Sequence, residues 1–368
     1  MDFALSDDQT LLAEQLEGVM GSLSTLTRVR RHADARAEMF AADLWEGMTR
    51  FGIPGLLVPE AYGGLGLDIL DAAVVAEVLG RHVVPAPFLG PVVAAPLAIG
   101  WGGSGAIKSR LLPRLAGGEL RIGLAWSSPA GERNGEAVIE RSGRLTGTCP
   151  FAIDIAGSEM IVVGSRDGRF HLVDRAAEGL SVTPVTTVDR TRSVAALVLD
   201  DVAAEGLALS PSDRLRLDYA LQVMLAADLL GSGSRLLESA VEYAKARHQF
   251  GRPIGSFQAV QHLCADMAAE LEPGRALLWY AAHGLDAGLP DAGESALHAK
   301  AYLADAARMA SRKAVEVHGG IGITDELGLH YWFKRVTWSG QAFGGAIRTR
   351  ERVACLHNAA VLPQRGAA

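Results

Sequence analysis

The sequence has few cysteines, no long uncharged apolar segment and no excess of positive charge. Cys149, Cys264 and Cys355 are odd in number and far apart, which predicts buried thiols and excludes a disulfide framework or a zinc site. No apolar segment reaches the roughly 18 residues of a membrane span. The first residues are acidic, so no secretory signal is predicted, and the net charge of −7 argues against nucleic acid as a partner. We expect a cytoplasmic protein with no metal site and no membrane association.

The chain is long enough for a substantial core and changes composition twice. It has 368 residues, of which 49% are hydrophobic. Residues 1–118 are typical of helices, residues 119–208 of short strands, and residues 209–368 of helices again. Helices followed by strands and then by helices indicate an α+β fold with segregated classes. We predict three domains with these boundaries.

Local signals place individual elements inside these zones. Asp68 is a plausible N-cap for the helix-forming stretch after it. Ser210, Pro211 and Asp213 supply an N-cap, a proline at the first helical position and an acid at the third. In the middle zone, β-prone runs lie at 160–164, 170–173 and 195–199, separated by charged or glycine-bearing turns. Such spacing is typical of antiparallel strands in a small barrel or sandwich.

Three glycine-bearing segments carry a family resemblance. They read GIPGLLVPEAYGGLG at 52–66, RHQFGRPIGSFQ at 247–258 and EVHGGIGIT at 316–324. Their order and pattern resemble the PE-x-Y-GG-x-G, R-x-x-FG-x-x-I-x-x-x-Q and Q-x-x-GG-x-G motifs of acyl-CoA dehydrogenases. The resemblance covers almost the whole chain. It implies an N-terminal helical domain, a central small β-barrel or sandwich and a C-terminal four-helix bundle.

The resemblance also implies FAD as cofactor, an acyl-CoA as substrate and an electron-transferring flavoprotein as acceptor. An anionic pyrophosphate favours a guanidinium and the backbone amides of a glycine-rich turn. In the family the second motif contacts FAD held mainly by a neighbouring subunit, which implies an oligomer. The predicted cofactor-binding residues of the second and third motifs are therefore Arg247, Phe250, Gln258, Gly319, Gly320 and Glu316.

Two segments depart from the family pattern. Glu316 stands where glutamine is usual, and an acid near a pyrophosphate is unfavourable unless it faces a hydroxyl or a cation. In the strand zone, the family's flavin loop T-E-P-G-x-G-S-D is replaced by AWSSPAGE at 125–132. Ser127 still offers an amide and a hydroxyl to a flavin. Phe151 stands where the family commonly has a tryptophan beside the flavin, with plain core packing as the equal alternative.

The carboxylate base is missing from both places where the family carries it. Removal of the proton next to a thioester carbonyl needs a positioned base, which contributes about 10²–10⁴-fold. The commoner position, counted from the third motif, falls on Phe343. The alternative position falls on Leu221, followed by Gln222 where the family tends to have arginine. Neither residue takes up a proton.

Two acids on the same predicted helix are substitutes. Asp218 lies one turn before Leu221, and Asp228 lies two turns after it. Asp218 is a weak candidate for the base. The ordinary interpretation of either acid is a solvated or capping carboxylate.

Three functional hypotheses remain. In the first, the chain is the non-catalytic half of a paired α₂β₂ dehydrogenase for steroid or other bulky acyl-CoA thioesters, and a related subunit supplies the glutamate. In the second, it is a self-sufficient flavoenzyme of the same fold, in a homo-oligomer, with Asp218 or another group as base or with different flavin chemistry. In the third, it is a flavin-free relative that binds acyl-CoA. Loss of both glutamates together with the altered flavin loop favours the first.

Overall fold

A computed structural model describes residues 4–34, 40–126 and 137–361. The chain divides into two compact units, each described below by itself. One unit comprises Asp7–Val75 and Val84–Leu221, and the other comprises Met1–Ser6, Ala76–Val83 and Gln222–Ala368. The three-domain division at 118 and 208 stays a prediction. None of the described helices combines the length and the apolar character needed to cross a membrane.

The first unit begins with helices and continues with strands. Its helices are α1 Asp7–Leu23, α2 Leu26–Asp34, α3 Ala42–Arg50, the first half of α4 Ile69–Arg81, the π-helical turn Leu89–Ala94, α5 Ala95–Gly102 and α6 Gly105–Ala116. Asp68 begins α4 as expected, and its backbone N–H donates to the Asp71 carboxylate at 3.0 Å. This is the reciprocal half of a capping box.

The first glycine motif is a structural turn in this unit. Two 3₁₀ turns, Ile53–Gly55 and Glu60–Tyr62, bracket it, and the Leu65 N–H returns to the Gly55 carbonyl at 2.9 Å. A Cβ on Gly64 would lie 2.0 Å from the Val58 carbonyl oxygen, so only glycine fits there. The motif therefore folds the chain back on itself between α3 and α4.

Within the described residues of this unit, the strands form one hydrogen-bonded sheet of eight strands. They are β1 Ile122–Ala125, β2 Val138–Arg141, β3 Arg144–Ile153, β4 Met160–Gly164, β5 Phe170–Asp174, β6 Leu180–Pro184, β7 Val194–Ala203 and β8 Glu205–Leu207. The order is β6-β7-β3-β1-β4-β5-β8, with β2 also paired to β3. Every pair is antiparallel except β1 with β4. An apolar cluster that includes Leu145, Cys149, Ile161 and Leu197 covers one face.

A buried aspartate joins the sheet to the helices of this unit. Asp154 accepts hydrogen bonds from the N–H groups of Phe88, at 3.1 Å, and Gly90, at 2.8 Å. These donors belong to the first turn of the π-helical segment, where backbone N–H groups lack intrahelical partners. The carboxylate thus fixes this segment against the end of β3, the strand that pairs with β1 before Trp126.

The second unit is a helical bundle, as the resemblance implied. Its helices are the second half of α4, most of α7 Pro211–Ala246, α8 Gln258–Ala287, α9 Ala292–His318, α10 Leu329–Gln341 and α11 Ala346–Val361. The predicted start of α7 is confirmed, because Asp213 N–H donates to Ser210 Oγ at 3.1 Å and Ser210 N–H donates back to Asp213 at 3.0 Å. Helices α4 and α7 approach closely at glycines: a Cβ on Gly231 would lie 1.9 Å from the Glu77 carbonyl oxygen.

The expectation for the thiols is wrong in part. Cys149 lies in the sheet core, whereas Cys264 is only partly buried and Cys355 is exposed. Cys355 lies on α11, a helix that buries only one side in this unit and leaves residues 354–358 exposed. Sequence distance between cysteines therefore predicted the absence of a disulfide framework but not their burial.

Candidate functional site

The second motif forms an exposed hairpin at the end of α7. Strands β9 His248–Gln249 and β10 Arg252–Pro253 pair around Phe250 and Gly251, whose φ angles are +52° and +77°. Positive φ at both central residues is typical of a tight hairpin turn, though costly for a bulky residue. The Phe250 side chain is 92% exposed, in edge contact with Phe257 at 6.1 Å between ring centroids. The hairpin therefore leaves an aromatic ring exposed at its tip.

Arg247 and Gln258 flank this hairpin with open donors. The Arg247 backbone is fixed, because its N–H donates to Tyr243 at 2.8 Å and its carbonyl accepts from Ile254 at 2.7 Å. Its exposed guanidinium forms no hydrogen bond or ion pair with the residues that the structure describes. Gln258 is exposed at the first position of α8, where unpaired backbone N–H groups favour an anion. These donors fit a pyrophosphate.

The third motif forms an open turn at the end of α9. Gly319 has φ +64° and ψ −143°, a conformation that is nearly confined to glycine. Gly319 and Gly320 are exposed, and a Cβ on either would meet no atom within 4 Å. Backbone groups here are thus open to a ligand. Glu316, one turn earlier, is also exposed and adds negative charge near a helix C-terminus, which does not favour an anion.

An aromatic stack brings the second and third motifs together. The rings of Tyr243, one turn before Arg247, and His318, directly before Gly319, stack with centroids 4.6 Å apart and planes 28° apart. His318 Nδ1 lies 2.7 Å from the Ala314 carbonyl oxygen, so it carries the proton, and Nε2 at 3.4 Å accepts from the Ser239 hydroxyl. Burial lowers the pKa of His318, against the opposing effect of the hydrogen bond to Ala314.

In the sheet unit, the flavin-loop prediction is only partly visible. Ser127 lies outside the described residues. Trp126 is buried before it, in edge contact with Phe170 at 4.9 Å, and a Cβ on Gly164 would approach its Cδ1 to 2.5 Å. Phe151 is 64% exposed on β3, beside the register shift of the β3–β7 pair, where a bulge re-aims side chains. The core alternative for Phe151 is therefore wrong, and its place beside a flavin stays a prediction.

Both positions expected for the base are buried. Leu221 in α7 is 0% exposed. Phe343, in the connection between α10 and α11, is 8% exposed and has φ +52°. A bulky residue with this φ costs on the order of 1–3 kcal/mol and persists only where its surroundings enforce it. Gln222 supplies part of that enforcement, because its amide Nε2 donates to the Phe343 carbonyl at 3.2 Å.

The interpretation of the two acids as solvated is wrong. Asp228 is buried in a charged network: Arg335 Nε donates to its two carboxylate oxygens at 2.9 and 3.2 Å, and the Ser339 hydroxyl donates at 2.6 Å. A carboxylate held by a guanidinium and a hydroxyl is a poor proton acceptor. Asp218 is also buried, at 4% exposure, in the other unit. Of the two, Asp218 remains the weak candidate.

Sequence reasoning missed a buried lysine beside the Phe343 connection. Lys300 is 0% exposed in α9 and its ammonium donates to the Gly340 carbonyl at 3.0 Å. None of the described carboxylates forms an ion pair with it, and burial lowers its pKa to about 7. A signal was present: Ala296, Leu297, Leu303 and Ala304, at three- and four-residue spacing, place Lys300 on an apolar stripe.

Two family models match the chain. Acyl-CoA dehydrogenase, N-terminal domain, matches residues 7–119, and Acyl-CoA dehydrogenase, C-terminal domain, matches residues 221–348. The acyl-CoA dehydrogenase IpdE2 of Mycobacterium tuberculosis is 32% identical over 91% of this chain and 92% of its own length. The acyl-CoA dehydrogenase FadE34 of the same organism is 30% identical over 97% of this chain, which spans only 49% of that protein.

Solved structures agree with these matches. A variant of the Tcur3481-Tcur3483 steroid ACAD superposes with a TM-score of 0.87 and 30% identity, covering 96% of this chain and 99% of that one. The ChsE4-ChsE5 complex from Mycobacterium tuberculosis superposes with a TM-score of 0.89 and 26% identity, covering 99% of this chain and 100% of the matched one. The two units contain the helical, strand and helical-bundle regions that the resemblance implied, and the family models match both ends of the chain. The chain therefore belongs to the acyl-CoA dehydrogenase family.

Proposed function

We propose that this chain is the subunit without the catalytic glutamate in a hetero-oligomeric, FAD-dependent acyl-CoA dehydrogenase. The observation that supports the proposal is the pair of buried apolar side chains, Leu221 and Phe343, at the two positions where the family resemblance predicts the base. A base must exchange a proton with substrate, and neither side chain has a group that does so. The α-proton of the acyl-CoA then goes to a glutamate on a related partner subunit.

The remaining acids support this division of labour. The charge of Asp228 is neutralised by Arg335 in the same unit, so its carboxylate is a structural partner. Removing it from that pair to serve as base would leave a buried guanidinium uncompensated. Asp218 is the residue on which self-sufficient activity would depend.

The open motifs support retention of a cofactor surface. Arg247 would hold the pyrophosphate of FAD by charge-assisted hydrogen bonds, with the amides of the Gly319–Gly320 turn and the amide of Gln258 as further contacts. Phe250 would pack against the flavin ring system or its surroundings from the hairpin tip. When bound, FAD supplies the acceptor for the hydride that leaves the β-carbon. Glu316 makes us expect weaker binding than a glutamine would give.

The relatives support a paired assembly and a bulky substrate. Two of the structures similar to this chain are named as pairs, ChsE4-ChsE5 and Tcur3481-Tcur3483, and the second is called a steroid ACAD. FadE34 leaves 51% of its length beyond this chain's match, which is room for a second subunit of similar size. We therefore infer a related catalytic subunit as partner, a steroid or similarly bulky acyl-CoA as substrate, and an electron-transferring flavoprotein as acceptor.

The second candidate is a self-sufficient flavoenzyme, favoured only by the buried carboxylate of Asp218. The two candidates differ in one measurement. The chain is purified alone and after co-expression with a related subunit that carries an intact glutamate, and flavin absorbance and acyl-CoA-dependent dye reduction are recorded. We expect activity only in the co-expressed sample, lost when the partner's glutamate is changed to glutamine.

An Asp218→Asn variant of this chain is the matched control. It should keep the activity of the complex, because the carboxylate of Asp218 has no catalytic part in the paired assembly. Activity of the chain alone that disappears in the Asp218→Asn variant would establish the self-sufficient enzyme. A chain that binds acyl-CoA but no flavin, alone or in the complex, would leave only the acyl-CoA-binding relative.

A further inference from the structure

Three buried side chains converge on the connection that carries Phe343. Gln222 from α7 donates to the Phe343 carbonyl at 3.2 Å, and Lys300 from α9 donates to the Gly340 carbonyl at 3.0 Å. The Thr349 hydroxyl from α11 donates its one proton to two carbonyls, Gly345 at 3.1 Å and Gly344 at 3.3 Å. We call Gln222, Lys300 and Thr349 the clamp. Its three members come from three different helices, and each is 0% exposed.

The clamp is more than ordinary helix capping. Helix α10 ends at Gln341, and its last carbonyls need partners in any protein. Capping explains the Lys300 contact with Gly340 and the contact of the Ala342 N–H with Trp338. It does not explain the donors to Phe343 and Gly344, which lie between α10 and α11. The bond from Thr349 to Gly345 is the ordinary i−4 bond of a helical threonine, so the contacts specific to the connection are those of Gln222 with Phe343 and of Thr349 with Gly344.

The backbone of the connection has positive φ at Phe343 and Gly344, a conformation that phenylalanine does not favour by itself. Phe343 and Gly344 follow each other with φ +52° and +104°. Glycine accepts such angles, whereas phenylalanine rarely does. A buried donor that lost its acceptor here would remain desolvated and unpaired, so the three contacts resist relaxation of the strained backbone. The direction of the side chain at position 343 is fixed as a result.

We propose that Gln222, Lys300 and Thr349 are positioning residues, which hold the backbone so that the side chain of residue 343 points in one fixed direction. The inference rests on the proposed function in one respect, namely that position 343 faces the substrate. The chain then keeps the residues that would position a base at 343, although Phe343 itself is not a base. In the native protein the clamp fixes the direction of the Phe343 ring. With a carboxylate at position 343, the clamp would orient that carboxylate towards the substrate.

The first experiment tests the clamp without any assumption about catalysis. Hydrogen exchange of the segment from 341 to 346 is followed in the full chain for Gln222→Met, Lys300→Met and Thr349→Val. Each replacement is close in volume and removes the donor. Loss of a buried hydrogen bond should speed local exchange about tenfold at the Ala342 and Gly344 amides.

Ser232→Ala is the matched control for exchange. Ser232 is equally buried in the same unit, and its hydroxyl donates to the Gly80 carbonyl at 3.1 Å, far from the connection in sequence. It should leave exchange at 341–346 within about twofold of wild type after correction for global stability. Equal acceleration in the control and the clamp variants, or none in the clamp variants, would overturn the proposal.

The second experiment uses Phe343→Glu in the complex whose partner subunit has its glutamate changed to glutamine. Dye reduction with octanoyl-CoA and with a steroid side-chain acyl-CoA should appear, with a pH profile that reports the introduced carboxylate. Adding Thr349→Val or Gln222→Met should lower the rate at least about tenfold and shift the profile, whereas Ser232→Ala should do neither. A merely structural role would not move the profile.

The two experiments separate the two claims. One outcome is faster exchange in the clamp variants together with an inactive but folded Phe343→Glu complex. It would contradict the assignment of position 343 to the base and support the clamp. If the Phe343→Glu complex is active and the clamp variants do not change its rate of dye reduction, the positioning role is contradicted and the proposed function is supported.

Discussion

The connection at 340–345 and the two cofactor motifs of the same unit differ in how their polar groups are used. At the connection, side chains from three helices donate to three backbone carbonyls, and Phe343 is buried. At the hairpin and the Gly319 turn, Arg247 and the glycines are exposed, and Phe250 is 92% exposed. Polar groups that are satisfied internally serve the fold, whereas groups left open serve a ligand or a partner. The position predicted for the base is therefore closed, while the predicted cofactor surface is open.

The largest effect should come from the closed region. Asp228→Ala leaves the Arg335 guanidinium buried without its carboxylate, and we expect a loss of about 3–5 kcal/mol in the free energy of unfolding. Urea denaturation followed by circular dichroism measures it. The double variant Asp228→Leu with Arg335→Met should recover most of that loss, because both charges are gone. A single variant within 1 kcal/mol of wild type would contradict a buried charge pair.

Lys300 gives the next largest effect and a dependence on pH. Its pKa is lowered from 10.5 in the unfolded chain to about 7 in the fold. Between these values the unfolded state binds the proton and the folded state does not, so stability rises with pH across this window. Below pH 7 the cost of burying the charge is felt in full. Lys300→Met should therefore be more stable at pH 6 by about 1–4 kcal/mol, with the advantage shrinking towards pH 9.

Thermal denaturation of both proteins from pH 6 to pH 9 checks this. Parallel stability curves for wild type and Lys300→Met would contradict titration of the buried ammonium. Greater global stability is compatible with a looser connection at 341–346, because local opening and global unfolding have separate free energies.

Arg247 is expected to matter for the cofactor and not for the fold. Its guanidinium is exposed and forms no hydrogen bond or ion pair with the described residues, so Arg247→Ala should leave the free energy of unfolding within about 0.5 kcal/mol of wild type. Loss of a charge-assisted bond to pyrophosphate should weaken FAD binding about 10- to 100-fold in the complex. Flavin fluorescence titration measures the affinity for FAD. The affinity of Arg247→Lys should lie between those of wild type and Arg247→Ala. Unchanged affinity would remove Arg247 from the cofactor surface.

Short-range signals carried most of what the sequence could tell about the fold. The run at 160–164 is strand β4, and the Ser210–Asp213 signal begins α7, because strand patterning and caps depend on neighbours within a few residues. The parallel β1–β4 pair and the Asp154 contact with the π-helical turn were not predicted. Both join segments far apart in sequence, and nothing local distinguishes them.

The candidate site shows the same limit. Motif spacing located Arg247, Phe250, Gly319 and Phe343 as candidates, but the fate of each charge depended on distant partners. Asp228 and Arg335 are 107 residues apart, and their pairing turned a possible base into a structural group. The clamp unites residues 222, 300 and 349, each of which is unremarkable in its own sequence context. Only the tertiary structure brings them to one loop.

The sharpest contrast between the two regions should come from two phenylalanines with positive φ, of which the exposed Phe250 should have the smallest effect on stability. Phe250→Ala removes a ring that is 92% exposed, so the free energy of unfolding should stay within about 0.5 kcal/mol of wild type. Phe343→Ala removes a buried ring, and the cavity should cost about 3 kcal/mol. In the complex, Phe250→Ala should weaken FAD retention by about 2- to 10-fold through loss of an aromatic contact. A destabilised Phe250→Ala chain with unchanged FAD affinity would show that the hairpin ring stabilises the fold. The distinction between a closed and an open region would then be contradicted at Phe250, its most exposed aromatic residue.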